Sequence, residues 1–233
     1  MKKIPTNELE VLSAGRRRKI LRRLRRDGVS IPCADGVIIG AAVSVGAGTL
    51  ILPGTLLQGE TTVGGHCVLG PNTWLRDCSV GEGCVLNSVH GEASVVGDGA
   101  QLGPFVRLRP GTVLEKEVRV GNFVEIKNAA VGAGTKIAHL SYIGDAALGR
   151  DVNVGCGLAT ANYDGRHKHR TVVGDGAFIG CHNSLVAPVT VGAGAYTAAG
   201  STITEDVPPG ALAIARARQE NKLRAKNGGD EGS

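Results

Sequence analysis

Aromatic residues are scarce: the 233-residue chain has three Phe, three Tyr and one Trp. A surface that stacks nucleic-acid bases needs such rings. The basic N-terminal segment contains none, so nucleic-acid binding is not expected. No apolar run reaches the ~18 residues that a membrane span requires, and Met1-Lys2-Lys3-Ile4-Pro5 leads into charged sequence rather than an apolar signal segment. A soluble, cytoplasmic protein is expected. The six cysteines (Cys33, Cys67, Cys78, Cys84, Cys156, Cys181) form no C-x-x-C pair. Without a secretory signal their default is the buried thiol, not a disulfide framework. The histidines include one H-x-H, His167 and His169, with no third ligand at suitable spacing, so no metal is expected.

What the chain has in excess is glycine, 36 residues, about twice the typical ~7%. With 42% apolar residues it can still build a core. The net charge of +5 is uneven: residues 1–26 hold ten basic and two acidic side chains, or +8, and the remainder sums to −3. The basicity is therefore local.

Aliphatic residues recur at every sixth position: Ile39, Val45, Ile51, Leu57, Val63, Leu69 and Leu75. After a one-residue slip come Val80 and Leu86, then Val96, Leu102, Leu108, Leu114, Val120 and Ile126. Further slips give Val131, Ile137 and Ile143, then Leu148 and Val154; Val173, Ile179, Leu185 and Val191 follow, with Ile203 two steps on. A helix cannot use this period. A short strand and a tight turn can: the aliphatic points inward, a small residue fits the corner, and glycine takes the turn conformations other residues resist. Three units close one triangular coil, and the chain supplies roughly nine or ten coils that contact only their neighbours.

Two segments lie outside the prism. Residues 7–26 fit a helix, with Asn7 and Glu10 as a capping box, Gly28 as a stop, and Leu9, Leu12, Ile20, Leu21 and Leu24 as a partial apolar stripe. At the other end Pro208-Pro209-Gly210 ends the repeats, and residues 227–233 read as a disordered tail. The repeat is also interrupted by the polar run 161–170, which reads either as a solvated bulge or as a substrate loop reaching past the prism wall.

The hexapeptide pattern with glycine after the aliphatic resembles the left-handed parallel β-helix of hexapeptide acyltransferases, which are usually trimers. The expected fold is therefore all-β: a short basic N-terminal helix (1–30), a left-handed β-helix domain (31–206) and a C-terminal arm (207–233). Five segments narrow the resemblance: GPFVRLRPG (103–111), GNFVEIK (121–127), AHLSYIGDA (138–146), NVGCGLATANYDG (153–165) and LVAPVTVGAGA (185–195). They resemble, in order and at matching spacing, the acetyltransferase half of bacterial bifunctional N-acetylglucosamine-1-phosphate uridylyltransferase / glucosamine-1-phosphate N-acetyltransferase. The nucleotide-binding loop of the family's other half is not in this sequence, so UTP chemistry is not expected.

The resemblance implies transfer of acetyl from acetyl-CoA to the amine of α-D-glucosamine 1-phosphate, without a metal. His139 falls on the catalytic base, a role imidazole suits because it titrates near working pH, and Glu125 on a supporting carboxylate. Arg109, Lys127 and Lys168 fall on cations around the sugar phosphate, and Tyr142 and Asn153 on sugar-contacting positions. For acetyl-CoA, the matching positions are Asn162 and Tyr163 beside the thioester, Cys156, Cys181 and Ala199 along the pantetheine groove, and Arg216 and Lys222 near the phosphates. Cys181 replaces a small hydroxyl residue, and Ala217-Arg218-Gln219 lacks the family's Pro. Other readings stay open: an N-acyltransferase for another amino-sugar phosphate or nucleotide sugar, or a non-catalytic trimeric scaffold. A zinc carbonic anhydrase on the same prism is disfavoured by the histidine spacing. The basic helix reads as a cap over the first coil, or as an attachment point for a membrane or protein partner.

Overall fold

The computed structural model describes residues 13–222. The expected capping pair Asn7 and Glu10, the stripe residues Leu9 and Leu12, and the tail 227–233 lie outside the described residues. Strands of two to four residues alternate with tight turns, and consecutive strands go to different sheets in rotation. The result is three wholly parallel sheets of ten, nine and ten strands. This is a β-solenoid with one helix among the described residues, and it fits the left-handed β-helix expected from the repeat.

Register stacks the repeat in layers: Ile39 lies beside Leu57 and Leu57 beside Leu75, and further along Leu108, Ile126 and Ile143 stack in turn. Ile51, Leu57, Leu69, Leu86, Ile126, Ile137, Ile143, Ile179 and Leu185 are fully buried; Val45, in an early coil, is only partly covered. Two residues before the aliphatic sits in many coils a small side chain, often threonine, whose hydroxyl donates to a nearby backbone carbonyl. Thr112 Oγ1, for example, donates to Arg109 O at 2.7 Å. Such pairing lets a buried hydroxyl escape the cost of desolvation.

The irregularities of the period have local causes. The slip after Leu75 is absorbed in the turn at Asp77 (φ 53°), after which Val80 still pairs with Val63. Between Leu86 and Val96 the inward position belongs to Gly91, beside Leu75 and Leu108. A Cβ there would come within 2.9 Å of Leu75 Cδ2, so the neighbouring leucine fills the layer.

The glycine that follows the aliphatic has a different cause from the turn conformation expected of it. Gly64 and Gly121 do not take positive φ. A Cβ on Gly64 would instead meet Gly81 O at 2.6 Å, and one on Gly121 would overlap Ala138 O. Close stacking of one coil on the next excludes the side chain, and the left-handed turn falls two residues later, as at Gly83 (φ 64°).

The described helix runs from Ala14 to Arg26, with Ser13 as its N-cap accepting from Arg16 N. It buries Ile20, Leu21 and Leu24 on the first coil and stops where Gly28 turns at φ 91°. Three of its arginines close the open end of the prism. Arg17 donates to Ala34 O and Val37 O, Arg23 to Val43 O at 3.2 Å, and Arg25 to Ile31 O at 2.7 Å. At the far end Leu212–Ala213 pairs with Tyr196–Thr197, so winding continues beyond the Pro-Pro-Gly expected to end it. Cys67, Cys78 and Cys84 are buried, Cys33 and Cys156 half-buried, and Cys181 exposed, all as free thiols. No helix among the described residues is long and apolar enough to cross a membrane.

Candidate active site

Parallel strands alternate inward and outward side chains, so the residues flanking the buried Leu108, Ile126 and Ile143 must face outward. Along one sheet this gives the outward row Arg107, Glu125, Tyr142 and Ala159, and beside it Lys127 next to Gly144. Gly144 is needed because the Tyr142 phenol lies where its Cβ would stand. Arg109 Nη1 donates to Glu125 Oε1 at 2.8 Å. Glu125 is thus engaged by a cation, and among the described residues no hydrogen bond joins it to His139.

His139 is exposed on the edge where this sheet meets the one carrying Lys136 and Asn153. The edge is one continuous column. Leu140 N donates to Asn122 O, Gly157 N to His139 O, His182 N to Cys156 O and Gly200 N to Cys181 O, so His139, Cys156, Cys181 and Ala199 follow one another coil by coil. Three steps of ~4.8 Å make a track of about 14 Å. Arg216 lies next on it, its Cδ 3.7 Å from where a Cβ of Gly200 would stand. Lys222 is not brought there; it is exposed and pairs with Glu220 at 3.2 Å. Asn153 stands on the far side of the edge from Tyr142. Beside the edge a shallow pocket of about 470 Å³ is lined by Phe105, Phe123, Glu125, Leu140 and Tyr142.

Of the interrupting run 161–170, Ala161 still ends the strand Ala159–Ala161 and 162–170 form a loop. Tyr163 bridges Lys168 in antiparallel fashion. The Asp164 carboxylate accepts from Arg166 N and His167 N, and its other oxygen lies 2.8 Å from His169 Nε2. The backbone amide of His167, with His169 and Arg166, holds the Asp164 carboxyl down at about 2. The loop leaves Tyr163 exposed and Asn162 buried, and it carries Lys168 to Lys127. That neighbour presses the Lys168 ammonium below its ordinary value. Lys127 Nζ in turn lies 3.7 Å from Asp145 Oδ2.

The sequence reading missed Asp145, which is 8% exposed and accepts from Asn128 Nδ2 at 2.6 Å and from Asn162 Nδ2. The signal was available: Asn128, Asp145 and Asn162 occupy the same corner of three successive coils, evenly spaced in sequence.

No family model matches the chain. Curated relatives do. "Bifunctional protein GlmU" of Geobacillus sp. (strain WCH70) is 50% identical over 206 residues, 88% of this chain and 45% of that protein. "Bifunctional protein GlmU" of Brevibacillus brevis is 48% identical over 221 residues, 94% of this chain and 48% of that one. The chain spans about half the length of the curated relatives it matches. Among solved structures, a "UDP-N-acetylglucosamine acyltransferase from Campylobacter jejuni" aligns at a TM-score of 0.39 and 19% identity, covering 81% of this chain and 70% of that one, a likeness too remote to inform function. The chain is related to bifunctional GlmU proteins over about half their length, consistent with their acetyltransferase half.

Proposed function

We propose that the chain transfers the acetyl group of acetyl-CoA to the amine of α-D-glucosamine 1-phosphate. The observation that carries this reading is the meeting of Lys127 and Lys168 beside Tyr142. Two ammonium groups pressed together repel, one nearby carboxylate offsets only part of that, and a phosphate monoester carries close to two negative charges. Arg109 flanks the same surface with a guanidinium already oriented by Glu125.

The His139 edge fits an extended thiol-bearing donor. Its side chains beyond His139 are small, Cys156, Cys181 and Ala199, and Arg216 ends it with the positive charge that the phosphates of acetyl-CoA require. In this reading the His139 imidazole takes a proton from the acceptor amine as nitrogen attacks the thioester carbonyl. The N–C bond forms, the C–S bond breaks, and His139 returns the proton to the departing thiolate. Asn162 and Tyr163 flank the thioester, Tyr142 and Asn153 contact the sugar, and Glu125 acts through Arg109, with no direct bond to His139. The division into helix (1–30), catalytic prism (31–206) and arm (207–233) belongs to the same proposal.

The working unit in this reading is a homotrimer. Phe105, Phe123 and Leu140 are 60%, 55% and 56% exposed in left-handed turns, and the two rings stack at 5.3 Å. A second copy covering this ridge removes apolar surface from water and brings a further Asn153 face toward the site. Rates of acetyl-CoA consumption with glucosamine 1-phosphate, glucosamine 6-phosphate, glucosamine and a nucleotide-linked amino sugar test the acceptor. Preference for glucosamine 1-phosphate is expected. Faster turnover of another amine would transfer the reading to that acceptor.

A further inference from the structure

Asp145 is the titratable group that the proposed reaction leaves unused, and its surroundings are built. Its corner position follows Asn128 one coil before and precedes Asn162 one coil after, and both amides donate to its carboxylate. Lys127 reaches the same oxygen that Asn162 binds. The backbone of Asp145 is engaged as well: its N donates to Lys127 O at 3.0 Å, and its carbonyl accepts from Thr171 N at 3.2 Å.

Asn162 and Thr171 are the two feet of the interrupting loop. The prism resumes at Thr171, which pairs with Ala146, while His169 N returns to Asn162 O at 2.8 Å. Asp145 therefore holds one foot by its carboxylate and the other by its carbonyl, and steadies the cation on the adjacent strand. Burial alone would raise its pKa, yet the amides of Asn128 and Asn162 with the charges of Lys127 and Lys168 outweigh it, and the carboxyl sits below its ordinary value. It is an anion at neutral pH. Two cations face it, Lys127 from the strand and Lys168 from the loop.

We infer that Asp145 is a positioning residue that anchors the loop 162–170 and Lys127 together, so that the acceptor-phosphate cations and the donor-side Asn162 and Tyr163 form one preassembled site. This rests on the acetyltransferase reading for its kinetic consequence, but not for its structural one. Asp145→Asn keeps the shape, removes the charge and turns an acceptor into a donor toward Asn162 or Asn128. The loss of charge-assisted hydrogen bonds predicts amide exchange in 163–169 about 10- to 100-fold faster, with strands such as Val124–Lys127 unchanged. Acceptor KM should rise by about tenfold or more while kcat falls by a smaller factor. Asn162→Ala, which cuts the carboxylate tie from the loop side, should speed the same amides and serves if Asp145→Asn does not fold. Loop exchange unchanged in the folded variants overturns the inference. So does faster exchange with no change in acceptor KM, provided the parent protein acetylates glucosamine 1-phosphate. A parent protein with no turnover on any acceptor overturns the function instead, and the exchange result then decides the anchoring alone.

Discussion

Lys168, carried on a loop that breaks the repeat, comes to rest beside Lys127 on a strand of the prism, and the approach lowers the Lys168 pKa. Lys168 is exposed and Lys127 half-buried, and the near carboxylate, Asp145, is already shared with two asparagine amides. A dianion between the two ammonium groups relieves the repulsion. Lys168→Ala should therefore raise acceptor KM by about ten- to a hundredfold, the usual scale for hydrogen bonds to charged groups, and leave acetyl-CoA affinity nearly unchanged. Steady-state kinetics with the acceptor varied decide it; an unchanged acceptor KM places the phosphate elsewhere.

His139→Ala should lower kcat by about 10²–10⁴-fold, the usual contribution of a positioned general base, with acetyl-CoA binding retained by calorimetry. In the proposed reading the donor lies along Cys156, Cys181 and Ala199, whose side chains the substitution leaves in place. Turnover near the parent rate across pH 6 to 9 would remove His139 from the role.

Light scattering at micromolar concentration is expected to give the mass of three chains. Phe123→Asp puts a charge into the ridge proposed to be covered by a second copy, and should shift the mass toward one chain and reduce activity in parallel. Full activity in a single-chain species would show that the site is complete within one prism.

Asp164 predicts how the loop responds to acid. Its folded pKa of about 2 lies below the ordinary aspartate value of 3.8, so the contribution to loop order is fully present above the unfolded value and is lost as pH falls through the folded one. Loop amide signals should stay in place at pH 4 and move only toward pH 2. Asp164→Asn should abolish that titration, while a carboxyl titrating near 4 would mean that the turn does not hold Asp164 as described.

Gly121→Ala tests the packing of the edge that carries His139. Its Cβ would overlap Ala138 O, so the coil carrying His139 must shift. A loss of about 1–3 kcal/mol in unfolding free energy, typical of overpacking, is expected together with reduced kcat. Unchanged stability would mean that the coils separate without cost.

Much of this protein is legible in its sequence because a coil contacts only its neighbours. Ile126 points inward beside Leu108 and Ile143 for the same reason that it stands six residues after Val120, and a period repeated so often leaves no second arrangement with a dry interior. His139 and the 161–170 run could be singled out the same way, one by its matching segment and the other by breaking the period. Glycine position was legible too, although its cause at Gly64 and Gly121 is backbone stacking, which only the distance between coils reveals.

The outward side chains are another matter. Which of them touch depends on turn lengths summed around whole coils, and on side-chain reach along the prism axis. The sequence shows Arg109, Glu125, Lys127 and Lys168 as charges; the structure decides that Glu125 answers Arg109 and that Lys168 folds back onto Lys127. Asp145 shows the difference most plainly. In sequence it is a carboxylate in a turn, and its even spacing from Asn128 and Asn162 acquires meaning only when the three turns stack. By itself the sequence determined the coil, its buried aliphatics and the place where the coil is broken, since burial is a one-dimensional pattern here. The tertiary structure alone decided the partners of the exposed charges, because those contacts join residues that no period relates.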